Sequence, residues 1–75
     1  MVKNLSELAS GDKGVIGSIN AEGGLKKRLL AMGIFPGGVV EVLRAAPFGD
    51  PVEVCVLGYT LSLRKEEARC VTLKE

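Results

Sequence analysis

The sequence predicts a mainly β fold: a small five-stranded barrel with one short α-helix inserted between the first and second strands. Two observations carry this prediction. Short runs of alternating apolar and polar residues, separated by glycine- and proline-rich turns, are typical of strands, and only one segment has the 3.6-residue periodicity of a helix. A chain of 75 residues, 47% of them hydrophobic, fits one compact domain, which we expect to cover residues 1–75.

The first strand is expected at residues 13–19, after a single capped turn at residues 4–8. Val15 is expected to point into the barrel. Gly14 and Gly17 indicate a bulge in this strand or the close approach of another backbone, because glycine in a strand interior leaves room for both.

Four further strands are predicted from the same alternation. The runs 39–46, 52–57, 59–64 and 70–73 place every second side chain on one face, and Gly58 marks a tight turn between the third and fourth strands. The side chains expected to point inward are Val40, Val42, Val52, Val54, Val56, Tyr59, Leu61, Leu63, Val71 and Leu73.

The helix is expected at about residues 24–32. Leu25, Leu29 and Met32 fall within one narrow stripe at 100° per residue, and this stripe should face the barrel. Gly33 is well placed as the left-handed residue that ends the helix.

This order of elements describes an SH3-like barrel, in which closure of the sheet would hide the strand edges. Residues 65–68 have room for a single helical turn before the last strand. Their adjacent carboxylates, Glu66 and Glu67, are expected to be solvated, as acidic side chains usually are.

The composition excludes several classes of function. The chain has no histidine, which removes the commonest general base and the catalytic triads built on it, so we expect no enzyme activity. A net charge of +1 gives no reason to expect nucleic-acid binding. No apolar run approaches the roughly 20 residues that cross a bilayer, so membrane insertion is not expected. Two cysteines and no signal peptide favour the reduced cytoplasm.

No cofactor site is defined by the sequence. Cys55 and Cys70 share the outward phase of their strands with Glu53, so a thiolate and carboxylate site that binds iron or zinc weakly is conceivable. Structural zinc sites usually have four nitrogen or sulfur ligands, and histidine is missing. The alternative is that each cysteine is an ordinary surface thiol.

Four segments in order resemble the FeoA family, the ferrous iron transport protein A family, across nearly all of the chain. The most distinctive block is Leu25-Lys26-Lys27-Arg28-Leu29 followed by Met32-Gly33-Ile34-Phe35-Pro36-Gly37. The other matching segments are Leu5-Ser6-Glu7-Leu8 with Gly11, Val40-Glu41-Val42 with Ala46-Pro47-Phe48-Gly49-Asp50-Pro51, and Gly58-Tyr59-Thr60-Leu61-Ser62-Leu63-Arg64 with Glu67-Ala68.

The resemblance implies a cytoplasmic accessory protein of ferrous iron uptake. Its expected partner is FeoB, a membrane transporter whose cytosolic part carries a GTPase domain, and binding to FeoB would recruit the protein to the inner face of the membrane. A related SH3-like domain ends the iron-dependent repressors of the DtxR family, so a regulatory module of an iron-responsive transcription system is the alternative. A weak transition-metal binder is a third.

The predicted partner-binding residues lie on the outer side of the helix and at a loop tip. Lys26, Lys27 and Leu30 would form an apolar centre flanked by charge, and the tip is Phe48-Gly49-Asp50. The alternative interpretation is that the basic run is a solvated helix face and that Phe48 covers the end of the barrel. Three basic residues contribute only about 3 kcal/mol to binding an anionic membrane, which favours a protein partner over lipid.

Overall fold

The structure, a computed structural model, describes residues 3–45 and 50–74. Over these residues the chain forms five strands, two α-helices and one 3-10 turn, which confirms the predicted fold class and the insertion of a helix between the first two strands. In chain order the elements are the 3-10 turn Leu5–Glu7, β1 (Lys13–Ile19), α1 (Gly23–Ala31), β2 (Val39–Ala45), β3 (Val52–Val56), β4 (Tyr59–Leu63), α2 (Lys65–Arg69) and β5 (Val71–Leu73).

The five strands form one antiparallel sheet in the order β4-β3-β2-β1-β5. In the described part of the chain β4 and β5 do not pair with each other, so the expected closure of the barrel is wrong. The β5 edge is instead covered by the start of the chain. The amide of Leu73 donates to the carbonyl of Lys3 at 2.8 Å, and Asn4 forms a β-bridge with Thr72.

The core is aliphatic and combines the buried strand residues with Leu5, Leu29, Ile34 and Ala68. The predicted inward positions of β2, β3 and β5 are confirmed, because each of these valines and Leu73 is buried. On β4, Leu63 is fully buried and Leu61 is partly buried against the core. The largest fully buried side chains are Leu5, Ile16, Leu29, Ile34, Leu63, Val40, Val42, Val54, Val56 and Val71.

The predicted orientation of Val15 is wrong: this side chain is 37% exposed, and Ile16 and Ile19 are the buried residues of β1. The reason is a bulge, seen as a register shift against β5 between Ile16 and Ser18. One extra residue changes the phase of a strand, so two inward side chains are three positions apart. Gly17 sits at this bulge, as predicted, and a Cβ there would lie 3.4 Å from the backbone of β5.

Helix α1 packs as predicted and ends as predicted. Leu29 is fully buried, and Leu25 and Met32 are partly buried against the core. Gly33 has a φ of +96°, and its amide donates to the carbonyl of Leu30 at 3.1 Å. The next amide, that of Ile34, reaches back to Leu29 at 3.0 Å, which completes a Schellman motif, and the Ile34 side chain is buried. Among the described residues no helix is long and apolar enough to cross a membrane.

Candidate partner-binding surface

The outer face of α1 presents the three helix residues predicted to bind a partner. Lys26 and Lys27 are exposed, and neither forms an ion pair with a residue that the structure describes. Leu30 is 40% exposed, although it lies one residue from the fully buried Leu29. The helix therefore carries two available cations and an apolar side chain on the side that faces away from the core.

Arg28, the third basic residue of the run, has a structural contact instead. Its Nη1 atom lies 2.8 Å from Oε2 of Glu67 on α2. Glu67 is only 4% exposed, so the expectation that this carboxylate is solvated is wrong. Its other oxygen, Oε1, accepts from the amide of Arg64 at 2.8 Å and so caps the first turn of α2. Both carboxylate oxygens thus have donors, which makes burial of this charge acceptable.

The loop predicted to join this surface is described only at its last residue. Phe48 and Gly49 lie outside the described residues. Asp50 is exposed, and its Oδ1 atom accepts from the amide of Lys65 at 3.1 Å. Since Lys65 is the first residue of α2 and Glu67 follows two positions later, α2 contacts both Asp50 and α1.

Two exposed apolar residues beside the end of α1 were not predicted as part of this surface. Leu57 is 66% exposed and Tyr59 is 44% exposed, so the expectation that Tyr59 belongs to the core is wrong. The Tyr59 hydroxyl donates to the carbonyl of Met32, the last residue before the helix stop. A Cβ added to Gly33 would lie 2.9 Å from Leu57 Cδ1, which shows how closely the turn packs on the helix end.

Leu57 is also unusual in its backbone. Its φ is +50°, and the φ of Gly58 is +82°, so the two residues that join β3 and β4 form a type I′ turn. The first position of this turn favours asparagine, aspartate or glycine, whereas its left-handed conformation is energetically unfavourable for leucine. In the sequence this feature is visible as a leucine before Gly58, at a turn position where a small polar residue is usual.

The residues considered for a metal site do not converge. Cys55 lies on β3, whereas Cys70 precedes β5, and strands β2 and β1 separate β3 from β5. The Cys70 thiol donates to the carbonyl of Glu66 at 3.4 Å, and the Glu53 carboxylate pairs with Arg44 at 2.9 Å. Within residues 3–45 and 50–74 no group of three histidine, cysteine, aspartate or glutamate side chains could hold a metal ion, so the described residues do not fit a zinc site.

The sequence matches the FeoA domain family over residues 3–75. A relative from Porphyromonas gingivalis, a fusion of Fe(2+) transport protein A with the Fe(2+) transporter FeoB, is 42% identical over 64 residues. The match covers 85% of this chain but only 8% of the fusion protein, so the chain spans a small part of the length of this relative.

Solved structures of the same family have the same fold. The solution structure of FeoA from Chlorobium tepidum is 41% identical with a TM-score of 0.87, over 95% of this chain and 68% of that one. The crystal structure of Stenotrophomonas maltophilia FeoA, described as a prokaryotic SH3 domain protein complexed with zinc, is 29% identical with a TM-score of 0.84, over 96% and 89% of the two chains.

The predicted relation to repressors of the DtxR family, expected as iron-dependent ones, holds at the level of the fold. A manganese-dependent transcriptional repressor matches with a TM-score of 0.86 at 20% identity, over 96% of this chain and 40% of the repressor, so the likeness shows a shared SH3-like domain and no more. The match to the family over 3–75 and the identity to the fused relative carry the assignment. The chain belongs to the FeoA family, which that fused relative links to ferrous iron transport.

Proposed function

We propose that this protein is a cytoplasmic, non-enzymatic accessory protein of ferrous iron uptake that docks on the cytosolic, GTPase-bearing part of a FeoB transporter. The observation that carries the proposal is the Porphyromonas gingivalis relative, in which the equivalent domain and the transporter are one polypeptide. Fusion keeps two domains at high effective concentration, which is useful when they work in contact. Docking would alter transport or the nucleotide cycle of the transporter.

The proposed contact surface consists of Lys26, Lys27, Leu30 and the loop tip at residues 48–50. Two properties of the helix support it. The lysines are exposed and without ion pairs among the described residues, and Leu30 is exposed between them and the helix end. An apolar centre with a charged rim is typical of protein interfaces, and the cations favour an acidic patch on the partner.

The test is a binding titration of this protein against the cytosolic part of FeoB, comparing the wild type with Lys27→Glu and Leu30→Glu. We expect each variant to weaken binding by at least about tenfold, or 1.4 kcal/mol. Reversal of the lysine charge should also reduce the salt dependence of binding, because rim charges act through screened electrostatics.

Matched controls lie elsewhere on the molecule. Leu43 is 40% exposed, as is Leu30, but it lies on β2, and Lys74 is an exposed lysine after β5. Leu43→Glu and Lys74→Glu should bind like the wild type. The helix surface is the wrong one if all four variants fold and bind equally well, and the proposed partner is wrong if the wild type does not bind at all.

A further inference from the structure

The outer edge of β4 carries backbone groups with no partner in the described chain. The type I′ turn at Leu57 and Gly58 fixes which groups these are. In such a hairpin the pair that closes the turn exchanges hydrogen bonds, and hydrogen-bonded pairs then alternate with non-bonded ones. Thr60 and Ser62 are therefore the residues whose N–H and C=O groups point away from β3. Within residues 3–45 and 50–74 none of these groups has a backbone partner.

In the part of the chain that the structure describes, this edge lacks the features by which proteins usually prevent strand addition. The other edge of the same sheet, β5, is covered by Lys3 and Asn4. By contrast β4, Tyr-Thr-Leu-Ser-Leu, contains no charged residue and no proline, and it pairs with β3 without a bulge over all of its length. Charges, prolines, bulges and covering segments are the common protections of edge strands. An open, regular edge of this kind is a template for another strand.

The two ends of β4 have different surroundings. At the start of β4 the Tyr59 hydroxyl reaches the carbonyl of Met32, and the exposed Leu57 is adjacent. At the other end, Arg64 follows the last residue of β4 and is exposed. The buried Glu67 of α2 lies three residues further along and forms an ion pair with Arg28. One end of the edge is therefore apolar, and the other end carries the exposed guanidinium of Arg64, since the charge of Arg28 is paired with Glu67.

We propose that the β4 edge binds an extended segment of a protein partner, which adds to the sheet as a further strand. Its chemistry follows from the two ends: an acidic residue would lie beside Arg64, and an apolar residue would lie against Leu57 and Tyr59. Main-chain hydrogen bonds to Thr60 and Ser62 would provide the part of the affinity that does not depend on the side chains of the partner. The inference rests on the proposed function in one respect, since the probe for the partner is the cytosolic part of FeoB.

A second copy of this chain fits the edge less well. Two β4 strands related by a two-fold axis pair antiparallel, so the basic end of each would lie against the apolar end of the other. Such an arrangement leaves the charge of Arg64 opposite Leu57 and Tyr59 in both copies. A segment with one acidic end and one apolar end is complementary in charge and in polarity.

Amide hydrogen exchange measured by NMR tests which backbone groups are used. In the free protein the amides of Thr60 and Ser62 should exchange at least about tenfold faster than the amide of Leu61, because Leu61 is hydrogen-bonded to β3. On addition of the cytosolic part of FeoB, the amides of Thr60 and Ser62 should slow by at least about tenfold, and those of the exposed strand residues of β2 should not change.

Proline substitution tests the same groups by binding. Thr60→Pro and Ser62→Pro remove an N–H that β3 does not use, so the β3–β4 ladder keeps its hydrogen bonds while strand addition is blocked. We expect each to weaken binding by at least about tenfold, or 1.4 kcal/mol. Thr60→Val and Ser62→Ala keep the backbone donor and should bind within about twofold of the wild type. The amide spectrum of each variant establishes that it is folded.

The outcomes separate this inference from the proposed function. In one outcome the wild type binds and Leu30→Glu weakens binding, but the proline variants bind normally and the amides of Thr60 and Ser62 still exchange fast. That outcome overturns the strand-addition inference and leaves the proposed function standing. Protection of Thr60 that grows with protein concentration alone overturns it in favour of a second copy. Absence of any complex with the cytosolic part of FeoB overturns both.

Discussion

Replacement of Leu57 by asparagine should make the protein more stable and less able to bind its partner. A left-handed backbone costs an L-residue other than glycine or asparagine about 1–2 kcal/mol. Asparagine adopts this conformation readily, so the cost is largely removed at the first position of the turn, where φ is +50°. The leucine side chain gives little in return, because it is 66% exposed.

The magnitude follows from these two terms. Complete burial of a leucine contributes about 1.5–3 kcal/mol, so the one third of Leu57 that is covered contributes about 0.5–1 kcal/mol. Subtracting the middle of this loss from the middle of the backbone gain leaves Leu57→Asn more stable by about 0.75 kcal/mol. For a domain of this size that corresponds to a rise of about 3–6 °C in the melting temperature.

Urea denaturation followed by circular dichroism measures the change, with Leu30→Asn as the matched control. Leu30 is also exposed but lies in a regular helix, where asparagine has a lower helix propensity than leucine by roughly half a kcal/mol, so this variant should be less stable. Binding of Leu57→Asn to the cytosolic part of FeoB should fall. The explanation of Leu57 as a contact residue held in an unfavourable turn is refuted if Leu57→Asn is destabilised as much as the control, or if it binds like the wild type.

Three further predictions concern Gly33, Glu67 and the two cysteines. Gly33→Ala should destabilise the protein by at least about 1–2 kcal/mol, because φ is +96° and the added Cβ would lie 2.9 Å from Leu57 in the β3–β4 turn. Gly24 lies in α1 with open space around it, so Gly24→Ala should stabilise the protein by about 0.4–1 kcal/mol. Chemical denaturation of both checks the sign of the difference. Glu67→Ala should cost about 1–2 kcal/mol through the lost cap and ion pair, and Glu67→Gln, which keeps one acceptor oxygen, about half as much. In an NMR titration with zinc, Cys55 and Cys70 should not shift together with a common affinity; a shared one-to-one response would show that the two strands rearrange to form a site.

Side-chain alternation predicted the strands well because one face of each strand is buried. The valines of β3 alternate without interruption, and their burial follows from period two alone. The same rule failed at Val15 because a bulge at Gly17 changes the phase within a single strand. A glycine indicates that a bulge is allowed, but the side on which the extra residue is accommodated depends on the partner strand, which the local sequence does not specify.

The candidate surface was predicted only in part because its remaining members depend on tertiary contacts. Helical phase was enough to place Leu30 outside the core and Leu29 inside it. Tyr59 has the phase of a core residue, yet it begins β4 beside the end of α1, where its hydroxyl donates to the carbonyl of Met32. Glu67 resembles any surface glutamate in sequence, and its burial follows from the distant Arg28 that approaches it in the fold.

Helix α2 has a consequence for how the proposed contact surface is maintained. Within three residues, its first turn holds the α1 cation through Glu67 and the loop residue Asp50 through the amide of Lys65. Helix α2 therefore contacts both α1 and Asp50, the last residue of the proposed loop tip, and couples their positions. A substitution in α2 that touches no partner can therefore displace α1 and Asp50 together. A binding defect that maps to this short helix can thus arise from altered geometry as well as from a lost contact.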